Sequence, residues 1–271
     1  MAEITAKDVM TLRNRTGLPM MDCKQALGET GGDLQAAEDW LRKKLKGKMD
    51  TRTERAAGEG RIEVGITAEG AAIVELRAET DFTAKNDKFI SGARRIAEIA
   101  ARASGSGNVA SSPDMTAIVD DIRVTTGENA SLARAVRVPG GGSTVFGSYI
   151  HHDGKTGVLV VAEGSIAQET LREIGMHVVA SPKRPLGVSA DDLPKEAVEK
   201  ERKFRIEQAM ESGKPKEIAE KMVEGGMRKF YEEVALLEQP FVKDETRKVK
   251  DIVGSGARIK QFFRWQVGEQ A

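Results

Sequence analysis

Twice along this chain the same succession of patterns recurs, and no other feature narrows the fold as much. In the first unit Ile62 to Ile66 alternates as a short strand, Ala68-Glu69-Gly70 turns, and Ala71 to Leu76 forms a second apolar strand. Phe89, Ile90, Ala93, Ile96, Ala97 and Ala100 then fall on helical spacing. In the second unit Val145 to Ile150 is a strand, Asp153-Gly154 is a hairpin turn signal, and Gly157 to Val161 is the return strand. A helix with Leu171, Ile174, His177 and Val178 follows it. Each unit also gains a later strand mixing basic and apolar residues, Ala133 to Val138 in one and Arg258 to Val267 in the other. The pattern predicts an α+β protein whose core has two similar halves, about 56–142 and 143–271. Each half is a three-stranded antiparallel sheet with helices on one face.

Two further regions stand apart from the repeat. Residues 1 to about 46 read as a bundle of three short helices. Thr5 with Asp8 resembles a capping box, Val9 and Leu12 give the first apolar face, and Thr16-Gly17 ends it. Pro19 suits the start of the second helix, with Met20, Met21, Ala26 and Leu27 following. Gly31-Gly32 breaks the chain and Asp33 caps a third helix carrying Leu34, Ala37, Trp40, Leu41 and Leu45. A hydrophilic connection at 42–60 is locally basic through Arg42, Lys43, Lys44, Lys46, Lys48, Arg52 and Arg55, either as a solvated linker or as a phosphate-binding strip. With it the N-terminal unit spans 1–55. Between about 192 and 238 Glu, Lys and Arg dominate. Val198, Ile206 and Met210 precede a break at Ser212-Gly213-Lys214-Pro215, and Ile218, Met222, Val223, Phe230 and Val234 follow it. This predicts an antiparallel helical hairpin inserted in the second half, with arms roughly 24 Å long, serving as a structural or a docking arm.

Charge excludes one class of partner by default. The chain has 42 basic and 42 acidic residues, so no global field draws nucleic acid. No direct nucleic-acid contact is expected, and a ribosomal accessory protein that binds RNA would have to use the strip at 42–55. One cysteine, Cys23, rules out an internal disulfide and fits a reducing compartment. The start Met1-Ala2-Glu3-Ile4-Thr5 is unlike a signal peptide, and no apolar run nears the roughly 20 residues that span a bilayer. A cytoplasmic protein without membrane contact is expected. No nucleotide-binding GxxxxGK[ST] loop occurs, and Gly140-Gly141-Gly142 and Gly254-Ser255-Gly256 lack its context. Adjacent His151 and His152 have poor geometry for a shared metal. His177, among apolar helical residues, reads as a structural histidine, and Cys23 has no catalytic partners nearby in sequence. No catalytic residue, metal or cofactor is expected, and a binding scaffold fits the composition as well as a regulator does.

Glu79-Thr80-Asp81-Phe82-Thr83-Ala84-Lys85-Asn86-Asp87 joins a strand to a helix and is polar except at Phe82. Either Thr80 or Asp81 caps the helix while Phe82 tucks beneath it as an anchor, or Phe82 is an exposed wedge beside an acid, the form taken by binding hot spots. Met20 and Met21 point about 100° apart on a helix, so core packing is expected for one, and a soft exposed contact is the alternative for the other.

These residues carry a resemblance. Thr80-Asp81-Phe82-Thr83-Ala84-Lys85-Asn86 resembles the TDFVAKN signature of the elongation factor Ts family, with Thr83 where many members have Val. Val9, Leu12-Arg13, Thr16-Gly17, Met20-Met21-Asp22-Cys23-Lys24 and Ala26-Leu27 look like its N-terminal signature. Gly147-Ser148-Tyr149, Met176-His177-Val178 and the run Ser212 to Met222 also match, so the likeness extends from residue 2 to about 268. It implies a small UBA-like helical domain, a two-part core and an inserted helical hairpin. It further implies a guanine nucleotide exchange factor of translation elongation, not an enzyme, that binds elongation factor Tu in its GDP and nucleotide-free forms. Thr80, Asp81, Phe82 and Thr83 would dislodge the partner's Mg²⁺. Arg13, Met20, Met21 and Lys24 would hold its GTPase domain, and His151 a β-barrel domain. The stretch His152-Asp153-Gly154 is one residue longer than in relatives. Many members carry a C-terminal helical module touching the partner, and the end at Gly268-Glu269-Gln270-Ala271 implies that this contact is missing.

Overall fold

The computed structural model describes residues 4–50, 53–211, 213 and 215–269. Arg52 of the basic strip, Ser212 and Lys214 of the expected break, and the two chain ends lie outside the described residues, as do the side chains of Lys46 and Lys48.

Three helices open the chain: α1 (Ala6–Thr16), α2 (Met20–Glu29) and α3 (Leu34–Asp50). The capping box at Thr5 and Asp8 is formed in both directions, and Gly17 closes α1 with φ 74°, the left-handed geometry that favours glycine. Asp33 accepts from the amide of Ala36 at 2.9 Å and starts α3. Val9, Leu12, Leu18, Cys23, Ala26, Leu27, Ala37 and Leu41 form the core of this bundle. The basic strip is not an open connection, because α3 runs through Arg42, Lys43 and Lys44 to Asp50. Lys and Arg are good helix formers, and the single Gly47 in the run does not end the helix.

The first half of the core comprises β1 (Glu59–Ile66), β2 (Gly70–Ala78), α4 (Asp81–Ala84), α5 (Asp87–Arg102), β3 (Gly107–Asn108), α6 (Pro113–Thr126) and β4 (Ala130–Pro139). Its long strands pair antiparallel in the order β1-β2-β4, with the two-residue β3 added at the β4 edge. The second half begins with β5 (Thr144–Ile150), β6 (Thr156–Gly164) and α7 (Gln168–Ala180). It continues through the hairpin α8 (Lys195–Glu211) and α9 (Lys216–Val234) to β7 (Pro240–Phe241), β8 (Asp244–Lys248), α10 (Val249–Val253) and β9 (Ala257–Gln266). Its sheet is antiparallel in the order β5-β6-β9, which completes the mixed α+β architecture.

Both halves seat their helix by the same device. A Cβ on Gly65 of β1 would lie 2.4 Å from the backbone of Ala97 in α5, and one on Gly147 of β5 would lie 2.3 Å from Leu171 of α7. A bare strand backbone lets the helix come down onto the sheet. On the helix side α5 buries Phe89, Ala93, Ile96, Ala97 and Ala100. The opposite faces of the two sheets pack on each other through Ile62, Ala71, Ile73 and Val138 from one and Phe146, Leu159 and Val161 from the other.

Helix α6 was not anticipated, although Ser112-Pro113 and Gly127 mark its ends. Ser112 accepts from the amide of Met115 at 3.2 Å, and Gly127 terminates the helix with φ 72°. The hairpin helices pair, and Ala209, Met227 and Val234 are their buried residues. Ile206, Met210 and Ile218, among the apolar residues that flank the break, stand exposed.

His177 is fully buried and both ring nitrogens are engaged. Nε2 lies 2.9 Å from Oε1 of Gln239, and Nδ1 accepts the amide of Val242 at 3.2 Å. Gln239 in turn donates to the carbonyls of Lys183 and Glu233, tying α7 to the root of the hairpin. Burial pushes the His177 pKa below its ordinary 6.5, against a smaller opposing effect of Gln239. Below about pH 6.5 the unfolded chain therefore binds a proton that the folded chain resists. This contribution to stability is full above that pH and is lost as pH falls toward the lower folded pKa. Urea unfolding at pH 7.5 and 5.5 should show the native chain weakening at the lower pH. His177→Gln should be less stable at pH 7.5 and show a smaller change between the two. An equal change in both chains would remove His177 as the cause.

Candidate functional site: an exposed aromatic on a braced loop

The segment Thr80 to Asn86 is built from two successive helix caps. Thr80 is the N-cap of the single turn α4, its Oγ1 accepting from the amide of Thr83 at 3.3 Å. Asn86 caps α5, its Oδ1 accepting from the amide of Lys88 at 2.9 Å. Thr83 and Ala84 are buried, Ala84 as part of the core under α5, so the turn has one inward face. Phe82 falls on the other face and is 83% exposed. The anchor alternative is thereby overturned: the buried pair already fills the space beneath the loop, and Phe82 projects as a wedge.

Asp81, beside it, pairs with Lys85 Nζ at 2.7 Å. That hydrogen bond, more than any other cause, holds the Asp81 carboxyl below the usual carboxylate range. The wedge is thus flanked by a charged acid at neutral pH.

The turn between β5 and β6 docks beside this loop. The Gly154 carbonyl accepts from the amide of Ile62 at 2.9 Å, and Lys155 Nζ pairs with Glu59 at 2.6 Å. The Glu59 hydrogen bond raises the Lys155 pKa first of all, and the negative charge of Asp81 adds to it. His151 stands at the start of this turn, half-buried, with Nδ1 3.3 Å from the hydroxyl of Tyr149 and its ring centroid 4.3 Å from that of His152. Lys155 of the His151 turn, in the second half, therefore lies within electrostatic reach of Asp81 in the first.

Arg13, Met20, Met21 and Lys24 lie on the outer surface of α1 and α2. Neither methionine is in the core, contrary to the expectation for one of them: Met20 is 46% and Met21 75% exposed. Cys23, Ala26 and Leu27 take the inward face of α2 and leave the first two positions of the helix outside. The bundle is fastened next to the loop by Lys88, whose Nζ donates to the carbonyl of Thr16 at 3.1 Å and to Thr125 Oγ1 at 3.4 Å. Cys23 is buried, and burial pushes its thiol up, which makes it unreactive.

Two residues escaped the sequence reading. Glu128 and Asn129, in the corner between α6 and β4, bond to Thr80 and Glu79 respectively. The signal for that corner was the unrecognised α6 ending at Gly127. Among the described residues no three His, Cys, Asp or Glu side chains are grouped to hold a metal ion, and no helix is long and apolar enough to cross a membrane.

Comparison with known proteins follows the same lines. The family model described as elongation factor TS matches residues 79–269, which include the loop, the hairpin and the second sheet. An elongation factor Ts of Caulobacter sp. (strain K31) is 42% identical over 294 residues, covering 99% of this chain and 93% of the relative. One from Alkalilimnicola ehrlichii is 41% identical, covering 98% of this chain and 92% of the relative. One from Gluconobacter oxydans is 42% identical, with 99% and 93% covered. With identity of this level over nearly its whole length, the chain belongs to the elongation factor Ts family and is a translation elongation factor.

Proposed function

We propose that this chain is a guanine nucleotide exchange factor that binds elongation factor Tu in its GDP form, displaces Mg²⁺ and releases GDP so that GTP can bind. The observation that carries the reading is Phe82, almost fully solvated beside the charged Asp81 on a loop capped at both ends. Large exposed aromatics are costly to leave in water and are characteristic anchors for a partner.

A GTPase holds GDP through backbone donors around its phosphates and through Mg²⁺, which neutralises them. Insertion of Thr80 to Thr83 beside that site, with Phe82 entering an apolar pocket, disturbs the ion and weakens the grip on the diphosphate. Burying one phenylalanine side chain contributes roughly 1.5–3 kcal/mol, and about 1.4 kcal/mol is a tenfold change in affinity. The remaining work falls to the wider interface: Arg13, Met20, Met21 and Lys24 on the GTPase domain and His151 on a β-barrel domain. Linkage makes the effect reciprocal, so GDP weakens binding of this chain by the same factor. No bond is made or broken by the chain, which acts as a regulator and not as a catalyst, in the cytoplasm where translation proceeds.

The test is stopped-flow release of a fluorescent GDP from purified elongation factor Tu. Acceleration that rises with concentration of this chain and then saturates is the expected result. Release at the intrinsic rate, with folded chain and cognate partner, would overturn the proposal.

A further inference from the structure

A loop whose helix has only four residues does not hold its own shape, since one turn of helix is unstable by itself. The position of Phe82 must come from outside the loop, and the hydrogen bonds say from where. Glu128, 48 residues further along the chain, takes both polar groups of Thr80: Oε2 accepts the amide at 3.1 Å and Oε1 accepts the hydroxyl at 2.8 Å. Because the Thr80 hydroxyl gives its proton to this carboxylate, its lone pairs are left facing the Thr83 amide, and the cap of α4 is set with one polarity. Charge-assisted bonds of this kind are the stronger class.

The residue next to Glu128 fixes the carboxylate's own place. The amide of Asn129 donates to Glu79 Oε1 at 2.6 Å. Its side-chain Nδ2 donates to the carbonyls of Thr53 and Arg55 at 3.0 and 2.7 Å, and Asn129 is 4% exposed. Two consecutive residues of the α6–β4 corner thus clamp two consecutive residues at the end of β2. The corner is itself anchored through α6, whose Met115, Val119 and Ile122 are in the core, and through the pairing of Ala130 with Ala78.

We infer that Glu128 is a positioning residue for nucleotide exchange: it acts through Thr80 to hold Phe82 in its projecting geometry, touching neither partner nor nucleotide. The inference rests on the exchange reading for the role of Phe82, while the clamp itself can be measured without a partner.

Two experiments test it together. In the free chain, amide hydrogen exchange by NMR should be at least tenfold faster at Thr80 and Thr83 in Glu128→Ala, while core amides of β2 and α5 keep native rates. Glu128→Gln, which keeps one carbonyl oxygen for the hydroxyl, should fall between. In stopped-flow exchange with elongation factor Tu, Glu128→Ala should lose about tenfold in efficiency, and the loss should shrink below twofold when Phe82→Ala is already present. Unchanged amide rates at Thr80 and Thr83 would overturn the clamp. So would a loss of exchange as large in the Phe82→Ala background as in the native one, since Glu128 would then act by another route. If the loop loosens as expected but the native chain does not speed GDP release, it is the exchange reading that has failed and not the clamp.

Discussion

Phe82→Ala is expected to cut exchange efficiency by about ten- to a hundredfold, the kinetic equivalent of forfeiting the roughly 1.5–3 kcal/mol that burying the ring contributes. The melting temperature should stay within about 1 °C of native, because a side chain 83% exposed contributes little packing to the fold. The combination discriminates. An anchor tucked under the loop would lose stability on truncation, whereas a wedge loses only its effect on the partner. Stopped-flow GDP release and a thermal melt on the same preparation read both quantities. Native exchange kinetics in this variant would remove Phe82 from the mechanism.

The largest effect on stability is expected at Glu75, which is 1% exposed and sits on the face of β2 that meets the other sheet. Its Oε2 pairs with Arg134 Nε at 2.6 Å, and Oε1 accepts the amide of Gly268 at 3.0 Å. Arg77 Nε lies 2.5 Å from Oε1 as an ion pair without an aligned hydrogen bond. Arg134 in turn covers the ring of Trp265 at 4.3 Å and donates to the carbonyl of Gln266 at 3.2 Å. Removing one member of a buried charged cluster costs about 3–5 kcal/mol. Glu75→Ala should fall near the lower end, because both arginines retain some access to water and can rehydrate. For a chain of this size the melting temperature would drop by about 6–12 °C. Glu75→Gln should cost less, since an acceptor remains. A urea midpoint for Glu75→Ala equivalent to under about 1 kcal/mol would show that the cluster is held by packing alone.

Much of the architecture was legible because its signals are local. Thr5 with Asp8, Gly17, Gly31-Gly32 and Asp33 delimit the first three helices. The alternation at Ile62 to Ile66 and the Asp153-Gly154 turn delimit strands. The doubled order of elements gave the two sheets and their helices. What spacing could not decide was side-chain direction where a choice depends on distant neighbours. Phe82 and the Met20-Met21 pair are apolar, and nothing in their spacing says that Thr83, Ala84, Cys23 and Leu27 already occupy the interior. Spacing likewise does not say which apolar residues of the hairpin are buried. Small Ala209 suits the close approach of two helices better than bulky Ile206 or Met210, and a count of apolar residues favours the bulky ones. Glu128 was out of reach for the opposite reason. Its importance lies wholly in two bonds to a residue 48 positions away, and acids beside a helix-ending glycine are common.

The face-to-face packing of the two sheets has a mechanical consequence. Interlocked apolar side chains between the sheets, bridged at one edge by Glu75, Arg134 and the carbonyl of Gln266, leave no plane along which the halves can slide. Phe82 projects from one half and the His151 turn belongs to the other, so on the proposed function these two grips are set on a stiff strut of fixed span. When a stiff body and a compliant one are pressed together at several points, the compliant one takes up the mismatch. On the proposed function, the deformation that opens a nucleotide site is borne by the GTPase, and this chain serves as the gauge against which the GTPase is bent.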